Sequence, residues 1–345
     1  MDLEGHGLTS GVGRRTTANF GHRSRIHGIV IASVVVLILC ALNDSGRALV
    51  SSAATRVPGC GTASPGSTTL SLTVNGFART VVVHVPQGST NSTPLALVLN
   101  LHGASDTAVG QEELTNMDAT ADANHFIVAY PQALIPDGTG FEWNVPGYPL
   151  SGGIQVPANA ADDVKFLTAL PRILENQYCV NPSLVYATGY SGGAREVSQL
   201  ACDSPHVFAA VAPVDGLRRP TPCPTKRAVP VIAFHGSADP VNPFTGHGQE
   251  YWTYSVSAAA KYWAQQDHCS VVPSTTVPVT TVRLTTYSRC ANRAVVRLYE
   301  IIGEGHEWPG GPTVPPSVSA QLGPQSNAIS ANALMWSFFK AHPLR

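Results

Sequence analysis

Three residue types that together carry out nucleophilic acyl chemistry occur along the sequence, each just after an apolar run. Ser191 lies in the pentapeptide GYSGG, residues 189–193. This pentapeptide fits G-x-S-x-G, the pattern of a serine held on a sharp turn between a strand and a helix. Asp239 follows the apolar run 229–234, and His306 follows the run 295–301. The sequence therefore predicts a nucleophile, an acid and a base at three strand ends.

These three residues have complementary roles in ester chemistry. A serine hydroxyl is a weak nucleophile, so His306 is expected to accept its proton while Asp239 fixes the imidazole tautomer. The negative oxygen of the tetrahedral intermediate needs preorganised donors. Gly192 N–H directly follows the serine, and Ala104 N–H follows the run 95–101, so we expect these two groups to form the oxyanion hole. The chain order serine, aspartate, histidine is that of α/β-hydrolases.

Several of these residues also have structural interpretations. Asp239 precedes a proline, and Asp-Pro favours turns. Glu304 is a rival acid, but it lies only two residues from His306 and is poorly placed to reach Nδ1. The sequence favours structural roles for His102 and His235 as supports or caps, and for Asp163 as a first-turn acid of a helix.

Aromatic residues occur in or beside the loops that carry these candidates. We expect Trp143, Tyr148 and Trp308 to form the walls of a substrate groove, although core packing explains aromatic residues equally well.

Apolar runs alternate with helical stretches along most of the chain. This alternation predicts a mostly parallel sheet with helices on both faces. The first two strands precede any helix and are expected to form an antiparallel edge. Strands are predicted at 80–85, 95–101, 126–130, 184–188, 209–214, 229–234 and 295–301, and helices at 111–124, 160–176, 192–202, 255–266 and 326–340.

Composition restricts the class of protein. The chain of 345 residues has a formal net charge of −1, with 12% charged and 43% hydrophobic residues. These values describe a folded globular protein without a basic patch for nucleic acid. Cysteine and histidine are not spaced as in zinc sites, so we predict no metal. We expect residues 56–345 to form a single catalytic domain that acts as a monomer.

The N-terminal residues 1–55 have the pattern of a secretory signal peptide and a short leader. Arginines precede the apolar run 28–42, and small residues follow it. Fifteen apolar residues are short for a membrane span, which needs about 20. We therefore expect a secreted protein without a stable membrane partner. An uncleaved N-terminal anchor at the cell envelope is the alternative.

Six cysteines remain after the signal region, which in an exported chain favours three disulfides. Cys269 and Cys290 flank the segment 271–287, which could fold back as a hairpin. Proximity in the sequence favours a second bridge between Cys202 and Cys223, and exclusion leaves Cys60 with Cys179. Free buried thiols are the alternative. The predicted pairs are Cys269–Cys290, Cys202–Cys223 and Cys60–Cys179.

The motifs HGASDTA, GYSGG, ACDSPHVFAAVAPVDG, HGSADPVNPFTG, YWAQQDHC and GEGHEWPGG, in this order, resemble the secreted esterase family of feruloyl esterases and polyhydroxybutyrate depolymerases. The resemblance runs from about residue 61 to the C-terminal helix. It implies an α/β-hydrolase fold, the triad Ser191, Asp239 and His306, and no metal or cofactor. It also favours the Cys269–Cys290 bridge.

The sequence departs from this family directly after the nucleophile. The family commonly has Asn or Ala between the serine and a glycine pair, whereas Gly192 and Gly193 follow Ser191 at once. Arg195 stands where the family usually carries a small or apolar residue. If its side chain points inward, Arg195 could bind an acidic substrate group or silence the site; if it points outward, it is solvated.

We therefore expect a serine carboxylesterase that forms an acyl-enzyme on Ser191. Its substrates would be small or polymeric esters: feruloyl or acetyl esters of polysaccharide, or short hydroxyalkanoate polyesters. Two other classes of protein fit the same residues. A cell-envelope acyltransferase would hand the acyl group to a sugar, and an inactive envelope-binding protein would have lost the chemistry.

Overall fold

The computed structural model describes residues 64–89 and 93–345. Ten strands form one sheet, and a short pair forms another. The strands are β1 (Gly66–Val74), β2 (Phe77–Val85), β3 (Leu95–Leu101), β4 (Phe126–Pro131), β5 (Ile135–Asp137), β6 (Gly140–Glu142), β7 (Val180–Tyr190), β8 (Ala210–Val214), β9 (Val231–Gly236), β10 (Ser274–Val279), β11 (Val282–Tyr287) and β12 (Val296–Ile301).

The large sheet has the order β1-β2-β4-β3-β7-β8-β9-β12-β11-β10. Its centre, from β4 to β12, is parallel throughout, and its outer strands at both edges pair antiparallel. The predicted mostly parallel sheet is confirmed. Strands β3, β4, β8 and β9 are almost completely buried, as expected for strands covered on both faces.

An antiparallel edge is present, but it is not formed by the two predicted strands, 80–85 and 95–101. The run 95–101 became β3, which lies inside the sheet between β4 and β7. The antiparallel partner of β2 is instead β1, which lies in a segment where no strand was predicted. At the other edge, β10 and β11 form the hairpin predicted within 271–287.

Seven α-helices lie in the described part of the chain. They are α1 (Ala108–Thr115), α2 (Met117–Asn124), α3 (Asp163–Tyr178), α4 (Gly192–Asp203), α5 (Val256–Gln266), α6 (Pro316–Leu322) and α7 (Ala331–Ala341). The helix predicted at 111–124 is two helices, because Asn116 adopts the left-handed conformation with φ 43°. The last helix begins only at Ala331, after the cap Ser330, rather than at 326.

Two apolar clusters pack on the two faces of the sheet. Residues of α3, α4 and α5 belong to one cluster, and residues of α1, α2 and α7 to the other. Along β2, Val81 and Val83 face the first cluster and Val82 faces the second, as the two-residue period of a strand requires. Helices thus cover both faces, as predicted.

A buried ion pair connects the sheet edge to α3. Arg79 Nη1 lies 2.6 Å from Asp163 Oδ1, and the other carboxylate oxygen accepts Asn144 N–H at 2.8 Å. Asp163 is the first helical residue, as expected of a first-turn acid, and it also fixes the chain that follows β6.

The structure joins Cys202 to Cys223 and Cys269 to Cys290. Cys179 is disulfide-bonded as well. Its predicted partner Cys60 lies outside the described residues, as do the predicted signal peptide and leader, 1–55. Among the described helices, none has the length and apolar character needed to cross a membrane.

Candidate active site

Ser191 stands on a sharp turn between β7 and α4. Its backbone has φ 53° and ψ −113°, a strained conformation for a residue with a side chain. Ser191 N–H donates to Val214 O at 2.9 Å, and Arg195 N–H donates to Ser191 O at 3.1 Å. The helix therefore begins directly after the serine. This is the geometry of a nucleophile elbow, which leaves the hydroxyl at the carboxyl edge of the sheet.

The glycines around Ser191 allow strand and helix to approach closely. A Cβ on Gly189 would lie 2.8 Å from the carbonyl of Gly193 and 2.9 Å from Leu101 Cβ. A side chain at Gly193 would meet the β3 backbone at 2.5 Å. A side chain at either flanking position of the motif would clash with its neighbours, which explains why both positions are glycine.

Asp239 and His306 come together in the way the sequence predicts. His306 Nδ1 lies 2.7 Å from Asp239 Oδ2, and both residues are buried. Glu304, the rival acid, instead accepts the Ser326 N–H at 3.0 Å. The imidazole of His306 lies beside the ring of Tyr190, with 4.9 Å between centroids. Because Tyr190 directly precedes Ser191, the three candidates share one edge of the sheet.

Asp239 is held as a carboxylate by its neighbours. Burial opposes its ionisation, but hydrogen bonds with His235 and His306 outweigh this effect and hold the pKa of Asp239 well below its usual range. Its Oδ1 accepts the N–H groups of Val241 and Asn242, both at 2.8 Å. An ionised Asp239 can orient His306 and stabilise its imidazolium.

Two backbone N–H groups lie beside Ser191. A Cβ built on Gly192 would lie 3.2 Å from Ala104 N, and one on Gly103 would lie 3.5 Å from Ser191 Cβ. Within the described part of the chain, Ala104 N–H has no hydrogen-bond partner. The turn after β3 therefore presents a free donor next to the helix N-terminus, where an oxyanion would be bound.

His102 supports this turn. Its Nε2 accepts the Ala133 N–H at 3.1 Å, which leaves the proton on Nδ1 to be donated to Gly103 O at 2.7 Å. Burial lowers the pKa of His102 to about 4. A neutral imidazole thus holds the backbone on which Ala104 lies.

The chain is similar in sequence to known esterases and to a depolymerase. The chain is 27% identical over 243 residues to feruloyl esterase B of Piromyces equi, covering 66% of this chain and 42% of that protein. It is 31% identical over 135 residues to poly(3-hydroxyalkanoate) depolymerase C of Paucimonas lemoignei, covering 39% of this chain and 30% of that protein. The resemblance predicted from the motifs is confirmed.

A solved structure shows the same fold. The acetyl xylan esterase from Aspergillus awamori superposes with a TM-score of 0.55 at 17% identity, covering 79% of this chain and 99% of that one. The chain therefore has the α/β-hydrolase fold. No family model matches it. Because the chain spans less than half the length of the two relatives above, their activities come to it only as proposals.

The aromatic residues predicted to line a groove are mostly elsewhere. Trp143 and Trp308 are only 1% and 0% exposed as residues, so neither lines an open groove and the prediction is wrong for both. Trp143 Nε1 donates to His102 O at 2.8 Å, and Trp308 Nε1 donates to Asn332 Oδ1 at 3.0 Å. Both are core residues that support the loops of the site. Tyr148 is half-buried, and the Arg218 guanidinium lies 4.0 Å from its ring centroid.

Sequence reasoning missed Asp215, which directly follows β8. Its Oδ1 accepts the Gly236 N–H at 3.1 Å and lies 3.8 Å from His235 Nδ1. Burial, and then the charge of Asp239, raise the pKa of Asp215 well above its usual value. The signal available in the sequence was an acid placed at a strand end, like Asp239.

Asp215, His235 and Asp239 offer three buried donor atoms within 4.8 Å of one another, a grouping that could hold a metal ion. Most polar side-chain atoms of these residues already take part in hydrogen bonds, whereas Asp215 Oδ2 and His235 Nδ1 have no hydrogen-bond partner among the described residues. His235 Nε2 lies 2.8 Å from Asn242 O and 3.2 Å from Asp239 Oδ2, the same oxygen that contacts His306. The three residues therefore fit a buried polar network behind the acid–base pair.

Arg195 points inward. Its side chain is 3% exposed, and its Nη2 lies 3.5 Å from Glu142 Oε1. Of the alternatives that the sequence left open, the outward, solvated orientation is wrong.

Proposed function

We propose that this protein is a secreted serine carboxylesterase that hydrolyses esters through an acyl-enzyme on Ser191. The observation that carries the proposal is the 2.7 Å contact between His306 Nδ1 and Asp239 Oδ2 at the sheet edge where Ser191 occupies a strained turn. Gly192 and Ala104 would supply the oxyanion hole. No cofactor takes part in the proposed reaction.

In the first half-reaction, Ser191 Oγ attacks the ester carbonyl carbon while His306 Nε2 accepts its proton. The carbonyl electron pair moves to the oxygen, which binds the N–H groups of Gly192 and Ala104. Collapse of this intermediate breaks the bond to the alcohol, which takes the proton from His306. In the described part of the chain Ser191 Oγ has no hydrogen-bond partner, so its approach to His306 is expected on substrate binding.

In the second half-reaction, water repeats these steps on the acyl-enzyme. His306 removes a proton from water, the resulting hydroxide adds to the acyl carbon, and collapse releases the acid and returns the proton to Ser191. Asp239 keeps its charge throughout and stabilises the imidazolium.

The proposed substrates are feruloyl or acetyl esters of polysaccharide, or short hydroxyalkanoate polyesters. The names of the Piromyces and Paucimonas relatives support the feruloyl and hydroxyalkanoate substrates, and the name of the Aspergillus awamori esterase supports the acetyl esters. The domain proposal is a signal peptide and leader at 1–55 followed by one catalytic domain at 56–345, acting as a monomer outside the cell. The disulfides Cys202–Cys223 and Cys269–Cys290 support an extracellular location.

The direct test is intact-mass analysis of the mature protein after exposure to a fluorophosphonate. We expect one adduct on the wild type and none on Ser191→Ala. Ser237→Ala is the matched control, because Ser237 lies in a neighbouring loop and its hydroxyl oxygen accepts the Gly303 N–H at 2.9 Å. That variant should be labelled like the wild type. A folded, oxidised wild type that takes no label would refute the proposed nucleophile.

Substrate class is then tested with feruloyl, acetyl and 3-hydroxybutyrate esters, with and without a sugar acceptor. Hydrolysis that does not depend on the acceptor supports the esterase, whereas turnover only with the sugar present would show an acyltransferase.

A further inference from the structure

Arg195 carries a positive charge where the fold does not favour one. It lies in the first turn of α4, near the positive end of the helix dipole, and only 2% of the residue is exposed. Basic side chains are normally favoured at the opposite end of a helix, and burial of a charge is costly unless it is well paired. The position therefore calls for a functional explanation.

The guanidinium lies against the proposed oxyanion hole. A Cβ built on Gly192 would lie 3.4 Å from Arg195 Nη2 and 3.2 Å from Ala104 N. The same point is thus flanked by one oxyanion donor and by the guanidinium. The missing side chain at Gly192 leaves room for both, which connects the two departures from the family pattern, Gly192 and Arg195.

The charge of Arg195 is only partly compensated. Among the described residues it pairs with Glu142 Oε1, and the N–O distance of 3.5 Å is long for a charge-assisted hydrogen bond. Glu142 also accepts Ser151 N–H at 2.9 Å and Ser151 Oγ–H at 2.9 Å. The Arg195 guanidinium lies 4.0 Å from the ring centroid of Tyr251, and its buried Nε has no partner among the described residues.

We propose that Arg195 stabilises the transition state, its positive charge favouring the oxyanion that forms between Gly192 N–H and Ala104 N–H. This inference rests on the proposed esterase function. A neutral ground-state carbonyl gains little from the charge, whereas the developing oxyanion gains much, because the Arg195 guanidinium is almost completely buried and so is weakly screened by water. Glu142 weakens this effect.

The main experiment compares Arg195→Met with the wild type on 4-nitrophenyl butyrate. Direct oxyanion donors are worth about 10²–10³ in kcat. A charge that lies behind the hole and is partly neutralised should be worth less, so we expect kcat to fall about 10-fold to 30-fold with KM within twofold. Arg195→Lys, which keeps the charge, should recover most of this loss.

Two further readouts separate electrostatics from structure. The Ki of a boronic acid, which forms an anionic tetrahedral adduct on the serine, should rise with the loss of kcat in Arg195→Met. Glu142→Gln keeps an oxygen to accept Ser151 N–H but removes the opposing charge, so its kcat should equal or exceed that of the wild type. This variant also tests the inference if Arg195→Met fails to fold.

Any one of the following results would overturn the inference: Arg195→Met with kcat within twofold of the wild type, an equal loss in Arg195→Lys, or a clear fall of kcat in folded Glu142→Gln. A loss confined to the anionic ester 4-nitrophenyl hydrogen succinate would also overturn it and would make Arg195 a substrate anchor. Failure of the esterase proposal is distinct, because the wild type would then hydrolyse neither ester.

Discussion

At the scale of single residues, the choice between Asp239 and Glu304 as the acid is open to a direct comparison. Asp239→Asn keeps the shape but removes the charge that orients His306, and in serine triads this change costs about 10⁴ in kcat. Glu304→Gln is the matched control, because Glu304 contacts Ser326 N–H and not the imidazole. We expect a loss of about 10³–10⁴ in kcat/KM for Asp239→Asn and less than threefold for Glu304→Gln, measured on the same ester. The opposite ranking would reassign the acid.

The candidate residues could be predicted because their types and their positions at strand ends depend on local sequence. The direction in which a side chain points does not depend on local sequence alone and could not be predicted. Whether Arg195 points inward depends on the space left by Gly192 and on Glu142, which is distant in sequence. The burial of Trp143 likewise depends on its hydrogen bond to His102 O, which joins separate loops.

At the scale of elements, Asn116 divides one predicted helix into two. Its left-handed conformation, φ 43° and ψ 39°, strains most side chains by about 1–2 kcal/mol, whereas glycine adopts it freely. Asn116→Ala should therefore lower the free energy of unfolding by about 1 kcal/mol, and Asn116→Gly should leave it within a few tenths. Urea denaturation measures both, with the exposed α1 variant Glu113→Ala as control. Equal stability of Asn116→Ala and Asn116→Gly would contradict the assignment.

At the scale of the whole molecule, the parallel centre of the sheet follows from continuous apolar runs separated by helices. The order of the strands in the sheet does not follow from these runs, because it depends on contacts between segments that are distant in the sequence. Strand β3 could be identified from Leu95–Leu101, yet its place between β4 and β7 was not predicted. Strand β1 was missed because only one of its nine residues, Val74, is buried, so it lacks the apolar run that marks the central strands.

The buried acids around the site should also make stability depend on pH. Burial, and then the charge of Glu307, raise the pKa of Glu304 to about 8, although Ser326 N–H opposes the shift. The folded protein therefore keeps a proton on Glu304 that the unfolded chain releases above about pH 4.3. This stabilisation is complete at low pH and is lost as the pH rises to about 8.

Glu304→Gln removes this titration. From pH 5 to pH 8 the variant should gain stability relative to the wild type, by on the order of 2–4 kcal/mol. Urea denaturation at several pH values measures the difference, and exposed Glu113→Gln should run parallel to the wild type. A Glu304→Gln curve parallel to the wild type would show that Glu304 is ionised in the folded protein. In that case a second negative charge would lie near His306, and the electrostatics proposed for the acid–base pair would need to include it.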